Sequence, residues 1–175
     1  LDLWTCQLNQ TLVPYSLIEI QYLKTKPINF TKYDAVLFTS KHGVKSILDN
    51  YNLKNKKIIA IGQQTKQVVE SYGYKVDYLP ETPDSNSLTK LIKAVKFKNI
   101  LYPTSQISDN ALHGLKNVAV KVTYKTKFKK QAKVDLSGYS GLVFSSASTV
   151  KAYFKLYKNI PKHLQILVYG DFVAA

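Results

Sequence analysis

Residues 33–48 read YDAVLFTSKHGVKSIL, and residues 139–154 read YSGLVFSSASTVKAYF, which align with them without gaps at an offset of 106 residues. In each copy an apolar run typical of a buried strand passes through a Phe-(Thr/Ser)-Ser turn into a helical pattern. The following strand repeats as well, as KIIAIG over 57–62 and QILVYG over 165–170. Any two buried strands followed by helices look somewhat alike, but the shared turn favours a true duplication. The repeat therefore predicts two α/β domains of similar build.

The chain between the two copies alternates in the same way. Short β-branched runs predict strands, and apolar residues at helical spacing predict the helices between them. Asp84, Ser85 or Asn86 is a candidate cap for the third helix, and Gly73 marks the end of the second. Strands separated by helices and short connections indicate a parallel sheet of flavodoxin size. The predicted strands cover residues 34–39, 57–62, 76–79, 99–102 and 118–124, and the predicted helices 42–50, 63–72, 87–95 and 108–115.

The charge is strongly positive. The 175 residues include 25 basic ones, all Lys, against 11 acids, which gives a formal charge of +14. Such a field attracts polyanions, whether nucleic acid, an anionic membrane surface or a small polyanionic metabolite, although many of these Lys are ordinary solvated surface. The absence of Arg argues against base-specific DNA recognition, which relies on the paired hydrogen bonds of the guanidinium group. Between Asp109 and Asp135 there is no acid, whereas seven Lys occur, at positions 116, 121, 125, 127, 129, 130 and 133.

Several classes of protein are excluded. The single Cys6 allows no internal disulfide and no Cys-based zinc site, which favours a reducing cytoplasm. No apolar run approaches the roughly 20 residues that cross a bilayer, and the N-terminal residues do not resemble a secretory signal. The three His have no metal-ligand spacing, and no common catalytic or nucleotide-binding motif is present. Because Met is absent even at position 1, we expect the chain to be part of a longer product.

The turns after the strands carry the candidate ligand-binding residues. Thr39 and Ser40 follow the first strand, and Ser145 with Ser146 occupy the matching turn of the second copy. In open parallel sheets, ligands bind at the carboxyl edge, where helix N-termini and hydroxyl groups attract anions. Capping of the following helix is a sufficient structural explanation for any one of these turns. Another strand-to-helix turn contains Gly62, which permits close backbone approach, and Thr65.

Taken in order, these segments resemble the uroporphyrinogen-III synthase family. The similarity begins near residue 14 and continues to the end of the chain. Each segment alone is a weak signal, whereas their order and spacing together are specific. The matching segments are PYSLIEI at 14–20, YDAVLFTSKHGV at 33–44, IGQQT at 61–65, ILYP at 100–103, VTYKT at 122–126 and LVFSSASTV at 142–150.

The resemblance implies two similar flavodoxin-like, parallel-sheet domains joined by a two-stranded linker, with the active cleft between them. On this sequence the inserted domain would cover residues 21–124. The second, discontinuous domain would combine residues 1–17 and 129–175 and would be incomplete, and the linkers would fall near 17–22 and 122–128.

The resemblance also implies a cytoplasmic, cofactor-independent and metal-free lyase that acts as a monomer, without nucleic acid or membrane. Its substrate would be hydroxymethylbilane, a linear tetrapyrrole with eight carboxylates. The enzyme would close this chain to uroporphyrinogen III, inverting ring D through a spiro intermediate. Tyr124 matches the family Tyr that helps the terminal hydroxyl leave. Thr39, Ser40, Gly62, Thr65, Ser145, Ser146 and Gly170 would bind the substrate.

Two alternatives remain open at the level of sequence. The first is a Lys-rich, non-catalytic α/β module that binds nucleic acid through phosphates, and its binding affinity would fall steeply as the salt concentration rises. A two-domain solute-binding protein that closes on an anion is disfavoured by the missing secretory signal.

Overall fold

Strands and helices alternate along the chain in the computed structural model, which describes residues 11–106 and 112–168. The chain divides into two units. The larger unit comprises Ile20–Thr126, and the smaller unit combines Leu1–Glu19 with Lys127–Ala175. The elements are β1 (Ile18–Tyr22), β2 (Ala35–Phe38), α1 (Lys41–Leu48), β3 (Lys57–Ala60), α2 (Gln63–Ser71), α3 (Ser85–Ala94), β4 (Ile100–Ser105), β5 (Val118–Phe128), β6 (Gly141–Phe144), α4 (Ala147–Leu156) and β7 (Gln165–Val168).

A five-stranded sheet with the order β1-β5-β4-β2-β3 organises the larger unit. Neighbouring strands from β5 to β3 pair in parallel, as the predicted alternation of strands and helices requires. β1 runs antiparallel to β5, since the Lys129 amide donates to Leu17 O while the Leu23 amide donates to Thr123 O. The mixed α/β class with a parallel sheet is thus confirmed, and β1 occupies an edge of the sheet.

Both faces of this sheet are covered, which explains why β2 is apolar at every position. Val36 and Phe38 pack with residues of α1 and α2 in one core. Ala35 and Leu37 point to the opposite face and pack with residues of α3. The side chains of β2 are fully buried because alternate residues of a strand serve opposite layers.

Four local predictions can be compared with the structure. Residues 76–79 form no strand and contribute only a bridge from Tyr78 to Ile59, so the fifth strand is β1 instead. The predicted helix over 108–115 lies partly outside the described residues, and of its described part residue 112 is in a 3-10 turn and residues 113–114 form a turn. Asp84 is the cap of α3, because its carboxylate accepts hydrogen bonds from the Asn86 and Ser87 amides. Gly73 follows α2 with a φ of +80°, as expected of a residue that ends a helix.

The smaller unit contains β6 and β7, which pair in parallel, and α4, which connects them. Its core gathers Leu17, Phe144, Ala152 and Tyr153. β7 is exposed along its length, and Val143 and Ile166 are each 52% exposed. Over the described ranges, no helix of either unit is long and apolar enough to span a membrane.

Candidate functional site

The carboxyl edge of the larger unit's sheet brings Ser40 and Tyr124 into direct contact. Ser40 follows β2 and begins α1, where its Oγ accepts a hydrogen bond from the Gly43 amide at 3.0 Å. The same Oγ lies 2.7 Å from the hydroxyl oxygen of Tyr124 on β5. Capping, the simpler explanation considered from sequence, therefore applies to Ser40. It is joined by a second contact that a cap does not require.

The phenol of Tyr124 is buried, with only 7% of the residue exposed. Burial raises the pKa of Tyr124, whereas hydrogen bonds with Ser40 and Ser105 act to lower it, and the net pKa lies above the ordinary value of 10.0. Tyr124 is thus a neutral phenol at pH 7. Its immediate partners are hydroxyl groups that stabilise a negative charge on its oxygen. This combination suits a group that holds a proton until a reacting molecule takes it.

Thr39 lies beside Ser40 but uses a different partner. Its Oγ1 is 3.1 Å from the hydroxyl of Tyr102 on β4, which is buried within the sheet. The Tyr102 ring in turn lies edge-on to His113, with 6.5 Å between ring centroids. Hydroxyl groups therefore line the ends of three strands at one edge of the sheet. The phenols of Tyr102 and Tyr124 are the buried members of this row.

The turn after β3 is built by close packing rather than by a cap. Gly62 precedes α2 and supplies no side-chain cap, and a Cβ added to it would lie 2.9 Å from Cβ of Pro83. Thr65, in the first turn of the helix, is buried. Ile61 N donates to Phe38 O, so this turn lies next to the one that carries Thr39. The four predicted residues of the two turns therefore share one edge of the sheet.

The remaining predicted residues belong to the smaller unit. Ser146 caps α4 in a capping box, in which its Oγ accepts from the Thr149 amide and the Thr149 hydroxyl accepts from the Ser146 amide. Ser145 lines a cavity of about 610 Å³ within this unit, together with residues of β6 and β7. Gly170 lies outside the described residues. Besides the cap, Ser146 Oγ lies 2.8 Å from Oγ of Ser148.

Two residues that were not singled out from the sequence stand beside Tyr124. Tyr22, at the end of β1, places its hydroxyl 3.1 Å from Nδ1 of His42 on α1. The rings of Tyr22 and His42 lie 6.5 Å and 5.7 Å from that of Tyr124, measured between centroids. The position of Tyr22 in a predicted linker is the one sequence signal that indicates a place near the site. The sequence suggests no role for His42 beyond that of a possible metal ligand, and no group of three or more metal-ligating side chains occurs in the described ranges.

A comparison with known families decides the relationship. The family model described as uroporphyrinogen-III synthase HemD matches residues 7–175. The chain belongs to the uroporphyrinogen-III synthase family. The family resemblance inferred from the ordered motifs is therefore confirmed.

Individual relatives agree with this assignment. A Methanocaldococcus jannaschii protein provisionally named a uroporphyrinogen-III synthase is 30% identical over 79% of this chain. The match spans 65% of that relative's length. The crystal structure of the uroporphyrinogen-III synthetase from Helicobacter pylori superposes with a TM-score of 0.69 at 21% identity, covering 95% of this chain and 83% of the other. A mutant Thermus thermophilus uroporphyrinogen III synthase gives 0.58 at 14% identity, covering 97% and 80%. These two similarities show the fold.

Proposed function

We propose that this protein closes hydroxymethylbilane to uroporphyrinogen III with inversion of ring D, as a lyase without cofactor or metal. Membership of the family supports the reaction. The observation that carries the proposal onto this chain is the contact of 2.7 Å between Ser40 and Tyr124. It places a buried, protonated phenol at the edge where parallel sheets bind their ligands.

Tyr124 is the proposed proton donor. Its proton passes to the terminal hydroxyl of the substrate and the C–O bond breaks. Water departs, and the remaining substrate is an azafulvene cation. Ser40 then stabilises the phenolate by donating to it, because the Ser40 lone pairs already accept from the Gly43 amide and its proton is available. The electron-rich substituted carbon of ring D attacks the methylene carbon of this cation, and the new C–C bond gives the spiro intermediate. This intermediate breaks and recloses with ring D inverted, and the proton released at the end returns to Tyr124.

The binding residues hold the substrate's carboxylates near this phenol. The start of α2 has no capping side chain at Gly62, so its positive end is suited to a carboxylate. Thr39, with its hydroxyl at the end of β2, contributes a further polar contact on the same edge. In this proposal Thr65, Ser145, Ser146 and Gly170 also contact the substrate, although Thr65 is buried and acts through its backbone. Holding a flexible chain in one conformation favours the inverted closure over the spontaneous one.

The domain organisation is part of the same proposal. The larger unit corresponds to the inserted flavodoxin-like domain, and the smaller unit to the discontinuous one. The antiparallel strands β1 and β5 contain the two linkers. We further propose a cytoplasmic monomer that needs no nucleic acid or membrane for activity.

An isomer assay tests the proposed function. Freshly prepared hydroxymethylbilane is incubated with the protein, the products are oxidised, and type I and type III uroporphyrin are separated by chromatography. We expect mainly type III with the protein and type I in its absence. Type I alone from the folded protein would contradict the proposal and make binding of other polyanions the next question.

The variant Tyr124→Phe tests the proton donor separately. Loss of a general acid lowers a rate by about 100-fold or more, so type III formation slows while the fold is kept. Tyr72→Phe is the matched control, because Tyr72 also carries a hydrogen-bonded hydroxyl in the larger unit, on Asp49 at 2.5 Å, but lies at the far end of α2. Equal rates for the two variants would remove Tyr124 from the mechanism.

A further inference from the structure

The pair formed by Tyr22 and His42 is a second polar feature at the edge of the larger unit's sheet. Tyr22 comes from β1 and His42 from the first turn of α1, and their side chains meet at 3.1 Å between Oη and Nδ1. Both rings pack against Tyr124. Tyr22 is 39% exposed, so a molecule that reaches Tyr124 meets Tyr22 as well.

The direction of this hydrogen bond follows from acid–base chemistry. A phenol is a stronger acid than a neutral imidazole N–H, and an imidazole nitrogen is a stronger base than a phenolic oxygen. Tyr22 is therefore the donor and Nδ1 of His42 the acceptor, as long as the imidazole is neutral. Since the single hydroxyl proton is directed at His42, the Tyr22 oxygen offers only lone pairs to solvent. Donation to the imidazole also makes that oxygen a stronger acceptor.

Burial and the positive charges around the pair keep the imidazole neutral. Burial lowers the pKa of His42, and the positive charges of Lys41 and Lys45 lower it further from the ordinary 6.5. Lys45 Nζ also lies 6.0 Å from the centre of the Tyr22 ring. Burial raises the pKa of Tyr22, and the Asp49 carboxylate and the nearby Tyr124 raise it further. Tyr22 and Tyr124 are the groups of β1 and β5 that face His42, and neither carries charge at neutral pH.

We propose that Tyr22, oriented by His42, binds the substrate through a hydrogen bond from a pyrrole N–H to the phenolic oxygen. This inference rests on the proposed function. The hydroxyls and helix ends described above suit carboxylates, which are acceptors. An N–H group needs an acceptor, and Tyr22 supplies one within reach of Tyr124. When the terminal hydroxyl leaves, positive charge spreads onto the adjoining pyrrole N–H, and the hydrogen bond strengthens. Tyr22 thus favours the transition state over the bound substrate, and His42 is a positioning residue.

Three variants test this inference. Tyr22→Phe keeps the ring and removes the acceptor, and we expect kcat for type III formation to fall about 10-fold or more with little change in KM. His42→Ala frees the Tyr22 proton and should lower kcat similarly. His42→Asn places an amide oxygen close to the position of Nδ1 and should restore much of the rate. Tyr74→Phe is the control with unchanged kinetics, because the Tyr74 hydroxyl contacts Asn52 and the Leu53 amide and is remote from Tyr22.

The pH profile separates positioning from a merely structural role. Protonated His42 becomes a donor, so it occupies a lone pair of Tyr22 and releases the Tyr22 proton. We expect kcat of the wild-type protein to fall as the pH decreases through the pKa of His42, below 6.5. That part of the profile should be absent in Tyr22→Phe and in His42→Asn. Nitrogen NMR of the free protein at pH 7.5 should show Nδ1 of His42 unprotonated.

The outcomes distinguish this inference from the proposed function. Type III formation by the wild-type protein together with unchanged kcat in Tyr22→Phe would overturn the role of Tyr22 and leave the function standing. A protonated Nδ1 at neutral pH would overturn it as well. Should Tyr22→Phe fail to fold, His42→Asn and His42→Ala decide the question, since equal rates for these two would contradict the proposed orientation. Type I alone from the wild-type protein would overturn both proposals.

Discussion

Replacing Ser40 by Ala removes two interactions that the structure assigns to one oxygen atom. The cap on α1 accounts for about 1 kcal/mol of the free energy of unfolding. The hydrogen bond with Tyr124, whose phenol is buried, accounts for about another 1 kcal/mol. We therefore expect Ser40→Ala to lower the free energy of unfolding by about 2 kcal/mol. For a chain of this size the midpoint of thermal unfolding should decrease by about 4–8 °C.

A double-mutant cycle, followed by circular dichroism during thermal and urea unfolding, separates the two contributions. In the Tyr124→Phe background Ser40→Ala can lose only the cap, so its cost should fall to about 1 kcal/mol. Ser146→Ala removes the corresponding cap of the smaller unit together with a contact to the Ser148 hydroxyl, and should cost at least about 1 kcal/mol. The reasoning would be refuted if Ser40→Ala cost the same with and without the Tyr124 hydroxyl.

Three further predictions concern the turn at Gly62, the acid stability and the excess charge. Gly62→Ala places a Cβ 2.9 Å from Pro83 and should lower the free energy of unfolding, measured in urea, by about 1–3 kcal/mol. Gly138→Ala, whose Cβ would have no atom within 4 Å, should lower it far less, and equal losses for the two variants would contradict the packing argument. Hydrogen bonds from the Asn99 and Lys98 amides hold the pKa of Asp34 below its ordinary 3.8. The stabilising effect of the Asp34 carboxylate is therefore complete above pH 3.8 and is lost as the pH falls through the lowered pKa. In Asp34→Asn the free energy of unfolding should depend less on pH in that acidic range, and an unchanged dependence would contradict this. Raising the salt concentration should increase KM for the polyanionic substrate while the protein's product remains type III, and a switch to type I would show that long-range charge determines the isomer.

The sequence predicts most of the larger unit because its signals there are local. The run DAVLFT was correctly predicted as a buried strand, since β2 lies between two helical layers and is apolar at every position. Gly73 ends α2 as expected, because only a residue that tolerates positive φ fits there. Residues 76–79 were wrongly predicted as a strand because their apolar pattern suits an edge position. Beyond β3 these residues contribute only the bridge at Tyr78, and the fifth strand is β1 at the opposite edge, where pairing with the distant β5 leaves no local signal.

In the candidate site, too, the residues with local sequence signals were predicted and those that depend on contacts between distant elements were not. Hydroxyls and Gly at strand ends are visible in a sequence, so Thr39, Ser40, Gly62 and Thr65 were predicted, and the structure places them at one edge. The hydrogen bond between Tyr22 and His42 joins side chains from two elements, and neither the residue types nor their spacing in the sequence predicts it. The choice of Asp84 among three candidate caps likewise depends on the direction in which the chain enters α3.

The lysine excess affects the site in two ways that a net charge alone does not reveal. With 25 Lys and 11 acids, most lysines have no acid to pair with, so the field around the protein favours a polyanionic ligand at long range. At short range, Lys41 and Lys45 oppose protonation of His42. Burial is the larger cause of the lowered pKa of His42, and the lysines that attract carboxylates add to it beside two phenols. Because a neutral imidazole accepts the Tyr22 proton while burial keeps the proton on Tyr124, one edge of the sheet presents an acceptor next to a donor. The substrate proposed above, which carries both pyrrole N–H groups and a leaving hydroxyl, would meet both.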